Sequence, residues 1–208
     1  MPALLYLHGF NSSPESAKAQ QTRQWFAQNA PEIEFICPEL PPYADRAMAL
    51  LRDIIIPRLS QPLFVIGSSM GGFYATCLVE QFDEGNISAV LINPAVSPAR
   101  GLHKWLGENH NYHSGEKWLF EPRHIDEYQR CDPQQIKNQK KYLVLLQSGD
   151  EVLDYRDAQQ RYAGCKIILE SGGDHSFIDY HRHLKTIHQF LLAAAQRNRK
   201  KQPDLKSA

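Results

Sequence analysis

At 208 residues the chain has the length of one domain with a sizeable core, and nothing in it calls for a second. Its 23 basic and 23 acidic residues cancel, which excludes the broad basic field of a nucleic-acid or anionic-membrane binder. With 42% hydrophobic and 22% charged residues it is a globular chain, not a disordered one.

The stretch Met1–Leu7 carries no basic leader before His8–Gly9 interrupts it, and no later apolar run is long enough to span a membrane. Cys37, Cys77, Cys131 and Cys165 are widely spaced and form no C-x-x-C pair. Free thiols in a reducing cytoplasm are therefore expected, with no disulfide frame, zinc site or membrane insertion.

Ala3–Leu7 reads as a short buried strand, followed by the loop His8–Gly9–Phe10–Asn11–Ser12–Ser13–Pro14. Ser13 is placed to cap a helix with Pro14 at its first position and Glu15 at its positive end, running to about Asn29. Glu32–Cys37 alternates as an edge strand would, and Pro38, Pro41 and Pro42 end it. From Ala44, the residues Ala47, Leu50, Leu51, Ile54 and Ile55 fall on one face of a crossover helix.

Leu63–Ile66 is apolar throughout, as in a strand buried on both faces of a parallel sheet, and a helix covers Phe73–Val79. Between them Gly67–Ser68–Ser69–Met70–Gly71 forms a Gly-x-Ser-x-Gly turn, the pattern in which a strand turns sharply into a helix and exposes a hydroxyl. The serine is held there in a strained backbone conformation, and a Cβ two residues to either side would collide with a neighbouring element. The helix directs free N–H groups and its positive end at Ser69, where negative charge develops in acyl transfer. Taken alone, such a turn equally serves packing or phosphate binding.

Ile87–Ile92 supplies a fourth strand ending at Asn93–Pro94. Strands and helices have alternated to this point, which predicts a parallel sheet with helices on both faces and a ligand beyond the carboxyl ends of the strands. Residues 97–140 break the rhythm, with Trp105, Tyr112, Trp118, Phe120 and Tyr128 at no steady period. The expectation is a small, partly helical cap over the site, with Trp105, Trp118 and Phe120 lining the substrate. Packing of these rings onto the body is the competing account for each.

Tyr142–Gln147 is a fifth strand, followed by Ser148–Gly149–Asp150; Asp154–Ala163 is a helix, Lys166–Leu169 a sixth strand and Ser171–His175 the loop after it. A last helix aligns Leu184, Ile187, His188, Leu191, Leu192 and Ala195. The expected organisation is one domain over residues 1–196, with the cap inserted and a frayed basic tail over 197–208.

Ser69, Asp150 and His175 thus follow strands three, five and six in the chain order Ser, Asp, His of the α/β-hydrolase fold. Serine needs an imidazole to take its proton, and the imidazole needs a carboxylate to fix its tautomer and stabilise its charge. The backbone N–H of Met70 and an N–H from the loop after the first strand, taken as that of Phe10, complete an oxyanion hole. His181, His183, His110 and His113 meet no convergent cysteine or carboxylate pattern, so no metal is expected. Asp174 could orient His175 directly, but adjacent side chains on a loop rarely point together, so exposure is expected; Ser68 is one residue out of the nucleophile position and is expected to pack or hydrogen-bond locally.

His8–Pro14, Gly67–Gly72, Gly149–Tyr155 and Gly173–Phe177 together resemble the small bacterial YqiA-like esterases, and nearly the whole chain is similar to an α/β-hydrolase. The resemblance implies a compact α/β-hydrolase fold of about six parallel strands, lacking the first two strands of the full fold. It also implies hydrolysis of carboxylic esters or thioesters. One departure is Gln147, where many relatives carry glycine three residues before the acid, and this keeps Asp154 as an alternative to Asp150. Three readings follow: a serine esterase for short to medium acyl esters, an acyl-CoA thioesterase using Arg100, Lys104, Lys117 or Arg123 on phosphates, and a non-catalytic binding module. The first two take a small-molecule acyl ester or thioester and need no cofactor.

Overall fold

The computed structural model describes residues 1–111 and 115–199. Tyr112, His113 and the tail beyond Arg199 lie outside the described residues. In chain order the strands are β1 (Ala3–Leu7), β2 (Glu34–Ile36), β3 (Leu63–Ser68), β4 (Ile87–Ile92), β5 (Gly107–His110), β6 (Lys117–Phe120), β7 (Tyr142–Gln147) and β8 (Lys166–Glu170). The helices are α1 (Ala17–Asn29), α2 (Ala44–Ile55), α3 (Met70–Gln81), α4 (Pro122–Cys131), α5 (Tyr155–Arg161) and α6 (Leu184–Arg199). Six strands form one sheet in the order β2-β1-β3-β4-β7-β8, parallel at every pairing. As the alternating pattern predicts, β2 is an edge strand.

Every residue of β1, β3, β4 and β7 is buried, because helices cover both faces of the sheet. The two-residue period sorts these strands between two cores. Leu5, Val65, Leu91 and Val144 pack with Leu51 of α2 and Phe73 of α3, while Leu4, Ile66, Val90 and Leu143 pack with Phe26 of α1 and Ile187 of α6. Each fully buried side chain of this kind contributes about 1.5–3 kcal/mol before its entropy cost. The chain leaves β1 for the edge at β2 and returns to β3 on the other side of β1. The loops after β1 and β3 therefore diverge and open a crevice at their carboxyl ends.

Beyond shifts of one to three residues at the ends of β2, β3, α3 and β8, the structure departs from the sequence expectation in three places. The helix expected from Pro14 begins at Ala17, because Ser13 Oγ accepts from the Glu15 N–H at 3.2 Å and its carbonyl from the Ser16 N–H at 3.1 Å, closing a turn first. The helix expected over Asp154–Ala163 is α5, with Asp154 as its N-cap accepting from the Arg156 N–H at 2.9 Å and Gly164 at φ +86° beyond its end. The region 97–140 holds a 3-10 turn (Pro98–Trp105), the antiparallel β5–β6 hairpin and α4, so the partly helical expectation omitted the hairpin. This region is tied to the body through a buried hydroxyl chain: Tyr74 donates to Tyr128 at 2.9 Å, and Tyr128 donates to the Pro42 carbonyl at 3.0 Å.

Candidate active site

Ser69 stands between β3 and α3 at φ 54° and ψ −118°, a conformation that costs a non-glycine residue about 1–3 kcal/mol. The surrounding backbone fixes it: Ser69 N–H donates to the Ile92 carbonyl at 2.9 Å, and its own carbonyl accepts from Gly72 and Ala95. Two glycines make the turn possible. A Cβ on Gly67 would overlap the Gly71 carbonyl, and one on Gly71 would overlap the Leu7 carbonyl of β1.

His175 Nε2 lies 3.0 Å from Ser69 Oγ, and its Nδ1 lies 2.8 and 3.0 Å from the two Asp150 carboxylate oxygens. The structure therefore brings together the three side chains singled out in the sequence. Asp150 Oδ1 also accepts from the Val152 and Leu153 N–H groups at 2.9 Å each. Burial alone would push the Asp150 carboxyl upward, but the hydrogen bonds from His175, Leu153 and Val152 outweigh it and hold it below its ordinary value. The stability this ionised group adds is present above about pH 3.9 and is lost only as pH falls through the depressed folded value. Asp154, the alternative acid, has a side chain 51% exposed and pairs with Arg156, whereas the Asp150 side chain is 2% exposed.

The loop after β1 lies against the serine, with a Cβ built on Gly9 falling 3.5 Å from Ser69 Cβ. His8 holds this loop: its Nδ1–H donates to the Gly9 carbonyl at 2.9 Å while Nε2 accepts from the Leu40 N–H at 3.1 Å, which fixes the tautomer. Among the described residues, neither the Phe10 nor the Met70 N–H has a hydrogen-bond acceptor. Met70 is the first residue of α3, so its N–H belongs to the free positive end of that helix.

A cavity of about 960 Å³ opens on Ser69 and His175, with Leu102, Trp105, Leu153 and Ile178 among its walls. A second, of about 400 Å³, adjoins it and is lined by Tyr43, Tyr74 and Trp118. Phe10 and Met70 line both. Of the three aromatic candidates, Trp105 faces the larger cavity and Trp118 the smaller. Phe120 lines neither: it is 1% exposed, with ring centroids 5.8 Å from Trp118 and 6.4 Å from Tyr128, which corrects its expected place in the substrate lining. The apolar side chain lies on the inner face of the hairpin and seals it to the body.

Glu151 and Lys18 are among the groups that escaped the sequence reading. Glu151 accepts from the His175 backbone N–H at 3.0 Å, and Lys18 of α1 donates to the Ser176 carbonyl at 2.7 Å. Both bind the loop through main-chain atoms, which leaves no residue-type signature. Asp174 accepts from the Ser176 hydroxyl at 2.6 Å, and His183 bonds Glu170 at 3.1 Å.

A six-stranded parallel sheet with a strained serine elbow at its switch point defines an α/β-hydrolase fold. The chain belongs to the uncharacterised protein family UPF0227, whose model matches residues 3–192. Among solved structures it is similar to Est1E from Butyrivibrio proteoclasticus with ferulic acid bound, at 14% identity, TM-score 0.72, covering 94% of this chain and 90% of that one. It is also similar to mouse alpha/beta hydrolase domain-containing protein 10, at 14% identity, TM-score 0.66, covering 96% and 90%. A carboxylesterase from the thaumarchaeon Nitrososphaera gargenis matches at 12% identity, TM-score 0.58, covering 94% and 91%. At these identities the likeness establishes the fold. Among the described residues no helix is long and apolar enough to cross a membrane.

Proposed function

We propose that the protein is a serine esterase acting on carboxylic esters of short to medium acyl chains. The observation that carries this reading is the unbroken chain from Ser69 Oγ through the imidazole of His175 to the carboxylate of Asp150, at 3.0 and 2.8 Å. Ser69 Oγ attacks the acyl carbon while His175 Nε2 takes its proton, and Asp150 holds Nδ1–H and stabilises the imidazolium. The N–H groups of Phe10 and Met70 receive the oxyanion, one from each side of the crevice. Collapse of the tetrahedral adduct releases the alcohol, protonated by His175, and leaves an acyl-serine. Water then attacks it, with His175 as base, to release the acid. The two cavities that meet at Phe10 leave room for both arms of an ester.

Thioester hydrolysis by the same groups is a second reading, favoured by Arg100 and Lys104 in the wall of the larger cavity. Lys117 lines the smaller cavity, and Arg123 pairs with Glu121 on the surface. A non-catalytic binding module would leave the Ser69–His175–Asp150 chain without a use.

Kinetics with an aryl butyrate test the acid directly. Asp150→Ala is expected to lower kcat by about 10²- to 10⁴-fold, by analogy with removal of the acid from other triads, and Asp154→Ala to stay within about threefold. An active Asp150→Ala beside an inactive Asp154→Ala would reverse the acid assignment.

The cysteines give a second test. Burial pushes the Cys165 thiol up to about 12 and Cys37 to about 11, and it raises Cys77 and Cys131 as well. At pH 8 the Cys37 thiolate fraction is then about one part in a thousand, and that of Cys165 lower still. Brief iodoacetamide treatment of the folded protein is expected to leave intact mass and ester hydrolysis unchanged. Loss of activity in step with an alkyl adduct would implicate a thiol and contradict a serine nucleophile.

A further inference from the structure

The loop that carries His175 is fastened to the sheet by two buried side-chain amides. Gln147, at the end of β7, is 3% exposed. Its Oε1 accepts from the Asp174 N–H at 3.2 Å and the Ile178 N–H at 2.9 Å, while its Nε2 donates to Glu170 Oε2 and to the Ile178 carbonyl, each at 2.9 Å. All four hydrogen-bonding positions of the amide are thereby used. Asn93, just after β4 and also 3% exposed, accepts from the Gln147 N–H at 3.0 Å through Oδ1. Its Nδ2 donates to the carbonyls of Asp174 at 3.0 Å and His175 at 3.4 Å.

The far end of this clamp is itself anchored. Glu170 of β8 receives Gln147 on one oxygen and His183 Nε2 on the other at 3.1 Å, with Arg182 at 3.3 Å. The hydrogen bond from Gln147 is the main reason its carboxyl lies below the ordinary value, ahead of the nearby His183 and Arg182. The loop is pressed onto the amide so closely that a Cβ on Gly173, at φ +75°, would overlap the Gln147 side chain. A glycine at position 147 could make none of these side-chain bonds. Neither amide is hydrogen-bonded to Ser69 or the imidazole; both hold main-chain atoms of the loop segment 174–178 that presents the ring.

We infer that Gln147 and Asn93 are positioning residues that set the placement of the His175 imidazole between Asp150 and Ser69. This rests on the reading of His175 as the base for Ser69. Strand ends are rigid supports, and a displacement of a catalytic group by about 1 Å costs about a hundredfold in rate. Removing the Gln147 amide releases the Asp174 N–H on one side of the imidazole and both main-chain groups of Ile178 on the other, leaving the loop to Asn93, Glu151 and Lys18.

The test compares Gln147→Leu, which keeps the approximate volume and loses the four side-chain bonds, with Asn93→Gly, which tolerates the φ of +40° at that position and loses the other amide. For folded variants we expect kcat for an aryl butyrate to fall about 10- to 100-fold with KM within about threefold. We also expect the far-downfield proton resonance of His175 Nδ1–H, bonded to Asp150, to broaden or vanish in both variants. Because that resonance is read without turnover, it reports on placement even in a Ser69→Ala background. A variant that melts earlier but keeps both kcat and the resonance would reduce the amides to structural supports and overturn the inference. Should one variant fail to fold, the other decides by the same readouts. A wild-type protein that a fluorophosphonate does not label would defeat the esterase reading instead, and the resonance would still decide whether the amides place the ring.

Discussion

Ser69→Ala is expected to lower ester hydrolysis by about 10⁴- to 10⁶-fold, with His175→Ala in the same range, because members of a triad act as a unit. The expectation follows from the geometry of the pair. Among the described residues, Ser69 Oγ is hydrogen-bonded to one base, His175 Nε2 at 3.0 Å, at the cavity that both line. The double variant should lose little more than either single one, because each alone removes the proton transfer that makes serine nucleophilic. Steady-state rates with an aryl butyrate check this. A Ser69→Ala variant with more than about a tenth of wild-type activity would require another nucleophile.

Gly71→Ala is expected to destabilise the fold by about 3 kcal/mol or more, at or above the top of the usual range for overpacking, because the clash is with backbone. A Cβ at this position meets the Leu7 carbonyl carbon and oxygen and the His8 carbonyl, all main-chain atoms at the carboxyl end of β1. None can rotate aside. Moving them would separate β1 from β3, displace the Phe10 loop and open the elbow, so stability and site are lost together. Gly101→Ala is the control, since a Cβ there meets nothing within 4 Å and should shift stability by less than about 0.5 kcal/mol. Urea denaturation of both variants measures the contrast, and a Gly71→Ala change under about 1 kcal/mol would contradict the steric account.

The parts of the fold that read directly from sequence are those whose physical demands are strongest. Burial on both faces makes β1, β3, β4 and β7 near-continuous apolar runs, and α2 carries its apolar residues at helical spacing along one side. The elbow is legible because its two glycines answer to backbone contacts that admit nothing larger. The hairpin was hidden for the opposite reason. Its first strand, Gly107–Glu108–Asn109–His110, alternates between partly covered and exposed, but with polar residues on both sides, so no hydrophobic period marks it. Phe120 shows the limit of residue type as a guide: an aromatic ring in an irregular segment suits a substrate or a core equally, and only the packing against Trp118 and Tyr128 decides. Gln147 illustrates the same limit in polar form, since a lone glutamine at a strand end does not announce four hydrogen bonds to three residues more than twenty positions away.

Intact mass after exposure to a fluorophosphonate, with Ser69→Ala as the comparison, tests the central claim most directly. The account predicts one covalent adduct on the wild-type protein, placed on Ser69 by peptide mapping and absent from the variant. A folded wild-type protein that stays unmodified, or an adduct that persists in Ser69→Ala, would contradict an activated serine at this site.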